Sequence, residues 1–268
     1  MKLPPFERIL RDEDFADNTV ETYSYAVHDF QTRYKTLDRA SLSAYKSFLI
    51  NTYKPATVNI RIFSLNKYLD AIGLDNLKIK TIKMPKESFL DHVISNEVYL
   101  SFKRSLQREP DKRWYFIVWF LATTGARISE LTKFKAEDVQ AGYVDIYSNG
   151  GRMRRLYFAK KLQKEALKWL EKEGRGSGFL FLNTKGGRLS PRGISLRLKE
   201  FAIRYRIDPD VVHPHAFRHL FAKNFLQKNN DIALLADLLG HSSIETTRIY
   251  LQQSSREQAE MVDEIVDW

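Results

Sequence analysis

The ten residues Trp114–Thr123 (WYFIVWFLAT) limit what this chain can fold into more than any other stretch. They are uncharged and apolar on nearly every side, so a helix formed here is buried on most of its surface. Its longest apolar run, Tyr115 to Ala122, falls far short of the ~20 residues that span a bilayer. A central helix of a globular core is what remains. Gly125 ends it. Arg127 follows just after this tight turn, at the start of the next helix, where a buried helix supports it rigidly from behind.

Upstream the pattern differs. Val20, Tyr23, Val27, Phe30 and Tyr34 recur at spacings of three and four, which predicts a helix over 18–34 opened by a capping box of Asn18 and Glu21. Leu42, Tyr45 and Leu49 predict a second helix. Val58, Ile62, Leu65 and Leu69 predict a third, opened by Pro55 and closed near Gly73. The polar faces carry Arg33, Lys35, Lys46, Lys54, Arg61 and Lys67. Periodicity fades from Asn76 to His92, so the expected organisation is a helical domain over 1–84, with a linker at its end, and a second domain over 85–268.

In that second domain, residues 143–158 read as a β-hairpin. Val144 and Ile146 alternate on one strand, Leu156 and Phe158 on the other, with Ser148–Gly151 as the turn. The fold class is therefore mainly α with a small β-hairpin. Ser190-Pro191 opens a later helix whose outer face carries Arg192, Arg197, Lys199 and Arg204. At the end, Met261, Val262, Ile265, Val266 and Trp268 form an apolar stripe in a helix expected over 252–268.

Charge narrows the partner. The chain carries a net +10, and Arg152 to Arg206 alone holds 16 basic residues against 4 acidic ones. So one-sided an excess points to a polyanion, most simply nucleic acid. There is no cysteine, hence no disulfide and no thiolate metal site. The N-terminus (MKLPPFERILRDED) has no signal-peptide core, and a cytoplasmic protein without membrane contact is expected.

The chemistry concentrates in His213–Tyr250. His215 and Arg218 lie three residues apart, on one face of a helix. Gly240-His241 follows an apolar run, and Tyr250 stands nine residues beyond His241. Arginine holds a phosphate through paired hydrogen bonds, histidine moves protons near neutral pH, and tyrosine can be a covalent nucleophile. Together these residues suit chemistry on a phosphodiester.

This pattern resembles the tyrosine recombinases, or phage integrase family, whose signature is H-x-x-R, L-G-H and a Tyr nine residues later. Thr124-Gly125-Ala126-Arg127-Ile128-Ser129-Glu130-Leu131 is similar to that family's other hallmark, an arginine box. The resemblance implies a two-domain DNA clamp in which Tyr250 attacks a backbone phosphorus and forms a 3′-phosphotyrosyl link. Arg127 and Arg218 would hold the phosphate with help from His241, His215 would act as general base, and Glu130 would support the site. No metal, nucleotide or other cofactor is implied. The implied partners are double-stranded DNA with inverted-repeat sites and further copies of the chain, as a tetramer on DNA, with 252–268 docking on a neighbouring protomer. DNA contacts are expected from Arg33, Lys46, Lys54, Arg61, Arg154, Arg192 and Arg197. The chain departs from the family at the hairpin turn, where a lysine is usual. Asn149 stands there, with Arg152 and Arg154 as the nearest cations. The outcome expected is integration, excision or inversion. The alternatives are a type IB topoisomerase-like enzyme and a DNA-binding protein with a decayed site.

Overall fold

The computed structural model describes residues 5–84, 93–147, 153–241, 243–251, 262–263 and 266. Asn149, Arg152 and most of the 252–268 segment lie outside the described residues. Two compact units divide between Lys86 and Glu87. No helix among the described residues is long and apolar enough to cross a membrane.

The first unit is helical: α1 (Phe6–Asp12), α2 (Asp17–Arg33), α3 (Arg39–Thr52) and α4 (Pro55–Ala71). Helix α2 begins at Asp17 with Ala16 as its cap and no side-chain cap bond, so the expected capping box of Asn18 and Glu21 does not form. Asn18 lies already inside the first turn. Helix α3 has the box instead: Asp38 Oδ1 accepts from Ser41 N at 2.8 Å while Asp38 N donates to Ser41 Oγ at 3.1 Å. Val27, Phe30, Leu42, Tyr45, Leu49, Val58, Ile62, Leu65 and Leu69 form one buried cluster. Burying each large side chain contributes about 1.5–3 kcal/mol.

Sequence periodicity ends near residue 76, but the chain beyond it is still held. Asn66 accepts from Ile79 N at 3.0 Å and donates to Ile79 O at 2.9 Å. Asn59, two turns earlier on α4, does the same with Ile82 at 2.9 and 3.0 Å. The first part of the expected linker is therefore docked on its own unit by side-chain amides that stand in for a neighbouring strand.

The second unit is built on α6 (Arg113–Thr124), preceded by α5 (Asn96–Arg108). Every residue of α6 from Trp114 to Ala122 is buried. After it come α7 (Ile128–Leu131), α8 (Ala136–Ala141), strands β1 (Tyr143–Tyr147) and β2 (Met153–Tyr157), α9 (Lys160–Lys172) and α10 (Pro191–Arg204). Helices α11 (Pro214–Asn229), α12 (Ile232–Leu239) and α13 (Glu245–Arg248) complete it, with a 3-10 turn over Ile249–Leu251. The strands pair antiparallel, Tyr143 opposite Tyr157 and Ile146 opposite Arg154. Alternation turns Val144, Ile146 and Leu156 inward, and Phe158 joins Phe120 edge-on at 5.0 Å between ring centres. Helix α11 packs along α6, which brings the H-x-x-R segment against the turn after α6.

Gly125 makes that approach possible. Its φ is +65°, and a Cβ there would come within 2.5 Å of the Phe221 ring and 2.9 Å of Leu239. Both the left-handed turn and the close contact exclude a side chain.

Candidate active site

Four segments of the second unit converge on one cluster: β2, the turn between α6 and α7, the start of α11, and the chain from the end of α12 through the 3-10 turn. Arg218 is at its centre and is 1 % exposed. Its Nη1 donates to Gly125 O at 2.7 Å, and its Nη2 donates to Leu239 O at 2.8 Å. Burial, and then repulsion from Arg127, push its pKa down to about 10, opposed by the Tyr250 hydroxyl beside it. A buried guanidinium is an expensive charge. Among the described residues its partners are two carbonyls, a histidine nitrogen and the Tyr250 hydroxyl, with no carboxylate on it.

That histidine is His241. Its Nε2 lies 2.9 Å from Arg218 Nη2, and its Nδ1 lies 2.7 Å from Thr247 Oγ1. A guanidinium has no lone pair to offer. Nε2 therefore accepts from Arg218, and Nδ1 carries the proton. Burial, then Arg218 and Arg127, push the pKa of His241 down to about 4, so the ring is neutral near pH 7.

Tyr250, 5 % exposed, sits in the 3-10 turn with its ring stacked on His241, 6.1 Å between centres and 15° apart in plane. Its other ring neighbour is His219, edge-on at 5.2 Å. His219 in turn meets His215 edge-on at 4.8 Å, one helical turn back on α11. His215 is exposed at the surface, yet desolvation on its inner side, followed by Arg218, His213 and Arg127, holds its pKa below the ordinary histidine value. Burial pushes His219 down to about 4 as well.

Arg127 caps α7. Glu130 Oε2 accepts its backbone N–H at 2.7 Å, and Glu130 Oε1 accepts from its Nη1 at 3.2 Å. The Arg127 side chain stays 40 % exposed. Arg154 holds the other side of Glu130: its Nη2 donates to Oε2 at 2.8 Å, and its Nε donates to Leu238 O at 2.9 Å.

The structure thus gathers Arg127, Glu130, His215, Arg218, His241 and Tyr250 in one place. Arg154, expected among the DNA-contact residues, is inside this cluster and its side chain is only 8 % exposed. The strand's alternation puts it there, since Arg154 shares the inward face with Leu156. His219, which sequence gives no role beyond structure, touches both His215 and Tyr250; its i, i+4 spacing from His215 was the available signal. Thr247, fully buried, fixes the His241 tautomer, and nothing in the sequence marked it.

The other expected DNA contacts are scattered. Arg61 was read on a polar face, but it is 8 % exposed and its Nη1 donates to Asp29 at 2.7 Å and to the Tyr45 hydroxyl at 3.3 Å. It serves the packing of the first unit, because α2 and α3 place a carboxylate and a phenol around it. Lys46 donates to Lys80 O at 2.6 Å, and Arg33 pairs with Asp29 at 3.1 Å. Lys54 and Arg192 are exposed, as is Arg197, which pairs with Glu200 at 2.6 Å. Among the described residues no group of three His, Cys, Asp or Glu side chains is placed to hold a metal ion.

With this geometry in view, the comparisons agree on one family. The phage integrase family matches residues 92–257. Tyrosine recombinase XerA of Pyrococcus horikoshii is 28% identical over 270 residues, covering 97% of this chain and 92% of that protein. Tyrosine recombinase XerC of Pseudomonas putida is 37% identical over 133 residues, 48% of this chain and 44% of its own. The Tn1549 transposon integrase, solved in complex with transposon right end DNA, shares the fold with a TM-score of 0.72. It is 14% identical, and the match covers 97% of this chain and 98% of that one.

Proposed function

The chain belongs to the phage integrase family of tyrosine recombinases, enzymes that cleave and rejoin DNA; from that premise we propose site-specific recombination of duplex DNA through a 3′-phosphotyrosyl intermediate. The observation that carries this reading is Arg218, buried with no carboxylate on it among the described residues and set beside Tyr250 and His241. A phosphate oxygen supplies the missing negative charge.

In the proposed step the Tyr250 oxygen attacks phosphorus as the P–O5′ bond breaks. The 3′-phosphate stays joined to the protein through Tyr250, and the 5′ oxygen leaves and becomes a hydroxyl by taking a proton from solvent. Arg127 and Arg218 donate to the non-bridging oxygens as charge develops on them. One such preorganised donor is worth about 3 kcal/mol. His215, neutral because its pKa is lowered, has a lone pair for the phenol proton. His241 holds Arg218 in place through Nε2. Arg154 stays protonated and is no source of the proton for the 5′ oxygen; Asn149 and Arg152 lie outside the described residues. Rejoining reverses the step: a 5′-hydroxyl attacks the phosphotyrosine, so no external energy source enters.

The first unit is read as a second DNA-binding arm, using Lys54 and Arg33, and 252–268 as the segment that docks on another protomer of a DNA-bound tetramer. Integration, excision and inversion all follow from the same strand exchange. The test is a covalent trap. Wild-type protein incubated without metal or ATP on nicked duplexes bearing its inverted-repeat site should give a denaturation-resistant protein–DNA adduct. Tyr250→Phe should give none while binding the duplex equally well. Tight binding by wild type with no adduct would leave the reading without its chemistry.

A further inference from the structure

Arg154 belongs to no part of the mechanism above, yet it is inside the cluster. Its side chain makes a bridge between two segments that the chemistry needs. On one side Nη2 binds Glu130 Oε2 at 2.8 Å; on the other Nε binds Leu238 O at 2.9 Å, one residue before the carbonyl that Arg218 uses. Its Nη1 is buried with no partner among the described residues. That nitrogen lies over Gly240, where a Cβ would come within 2.5 Å of it and within 2.8 Å of Arg154 Cδ. Gly240 leaves the space that the guanidinium fills.

Glu130 is shared unequally. Oε2 takes the Arg127 backbone N–H at 2.7 Å and Arg154 Nη2 at 2.8 Å, which leaves the Arg127 guanidinium only Oε1, at 3.2 Å, with its side chain 40 % exposed. With two donors already on Oε2, the Arg127 guanidinium is held through one oxygen only, and the bidentate pair is the strong one. Without Arg154, Oε2 has a lone pair for a second guanidinium nitrogen of Arg127, which would draw that side chain back from solvent.

We infer that Arg154 is a positioning residue that withholds Glu130 from Arg127, keeping the Arg127 guanidinium forward and available to a phosphate. This rests on the reading of Arg127 as a phosphate ligand. Arg154 touches neither DNA nor Tyr250 in this role; it acts through the carboxylate it occupies. Misplacing one reacting group by about an ångström costs on the order of 100-fold in rate.

The experiment is single-turnover cleavage of the nicked duplex by R154M, E130Q and the double variant, with duplex affinity and melting temperature measured alongside. R154M is expected to cleave about 100-fold more slowly at unchanged duplex affinity. Adding E130Q to it should restore rate, because the glutamine carries no charge to hold Arg127. A purely structural Arg154 would make the double variant slower than either single one. R154K, whose ammonium still reaches Glu130, should recover most of the rate. If R154M does not fold, R154Q makes the same comparison, since it too carries no charge to Glu130. R154M at the wild-type rate, or a double variant no faster than R154M, overturns the inference alone. R127A at the wild-type rate overturns the reading of Arg127 and the inference with it.

Discussion

Arg61 in the first unit and Arg218 in the second are both buried, and in opposite ways. Arg61 in the first unit has Asp29 at 2.7 Å, the Tyr45 hydroxyl at 3.3 Å, and the rings of Tyr53 and Tyr25 at 4.5 and 5.1 Å. Burial alone would lower its pKa, but its hydrogen bond to Tyr45 and the phenols around it hold it above the ordinary arginine value. Asp29 is correspondingly held below the ordinary carboxylate value: burial pulls it upward, and the hydrogen bonds from Tyr45 and Arg33 overcome that. Arg218 has carbonyls, a neutral imidazole and further cations around it, and its pKa falls to about 10. Arg61 is a finished ion pair, whereas Arg218 is half of one. A buried charge whose counter-ion is built in holds structure; one without it is ready for an anion.

The contrast is open to direct tests, the largest first. Arg61→Met removes the 2.7 Å ion pair to the half-buried Asp29. Asp29 keeps Arg33 and the Tyr45 hydroxyl, so the cost is about 3 kcal/mol, the low end for breaking a buried pair. Thermal unfolding should show a large drop in the melting of the first unit, while cleavage at a temperature where the variant stays folded should be unchanged. Equal loss of cleavage would break the division of labour. Arg218→Met should do the reverse. Removing an uncompensated charge leaves stability little altered, but cleavage should fall by about 3 kcal/mol, roughly 10²-fold or more, as loss of a preorganised phosphate donor does. Adduct formation by Arg218→Met at the wild-type rate would remove the basis for calling its charge functional.

A third test uses pH. His219 and His241 have folded pKa values of about 4 against 6.5 ordinarily. Between those values the unfolded chain binds more protons than the folded one, so stability falls as pH is lowered through that window and is fully present above 6.5. The slope is at most about 1.4 kcal/mol per pH unit for each ring. Asp29 acts in the same direction but in a lower window: its folded pKa lies below 3.8, so its contribution is present above that value and is lost only below it. Melting followed from pH 7 to pH 4 should therefore weaken the second unit well before the first. Parallel loss in both would show that the two sites are not electrostatically distinct.

Much of this was legible beforehand, and the reasons differ residue by residue. Trp114–Thr123 had to be a buried helix because no face of it is polar, and α6 is one. The hairpin strands follow from the alternation of Val144 with Ile146 and of Leu156 with Phe158. Arg127, Arg218, His241 and Tyr250 stood out because few folds need those residue types in that order. The capping box at Asn18 failed because local pattern does not choose between neighbouring start points when packing sets where α2 begins. Arg61 was misread as a surface cation because α4 is lined with polar residues whose depth depends on what α2 and α3 bring opposite.

The sequence by itself determined the elements, the family's residues and the basic character of the chain, since these depend on side chains a few positions apart or on sums over composition. Only tertiary structure decided which charges are neutralised and which are not. Asp29 reaches Arg61 across 32 positions, and Gly125 reaches Arg218 across 93. Leu238 reaches Arg154 across 84. A charge's environment is made by whatever distant segments fold against it, and desolvation makes that environment strong. That is why the arginine box was readable from the chain while the state of each arginine was not.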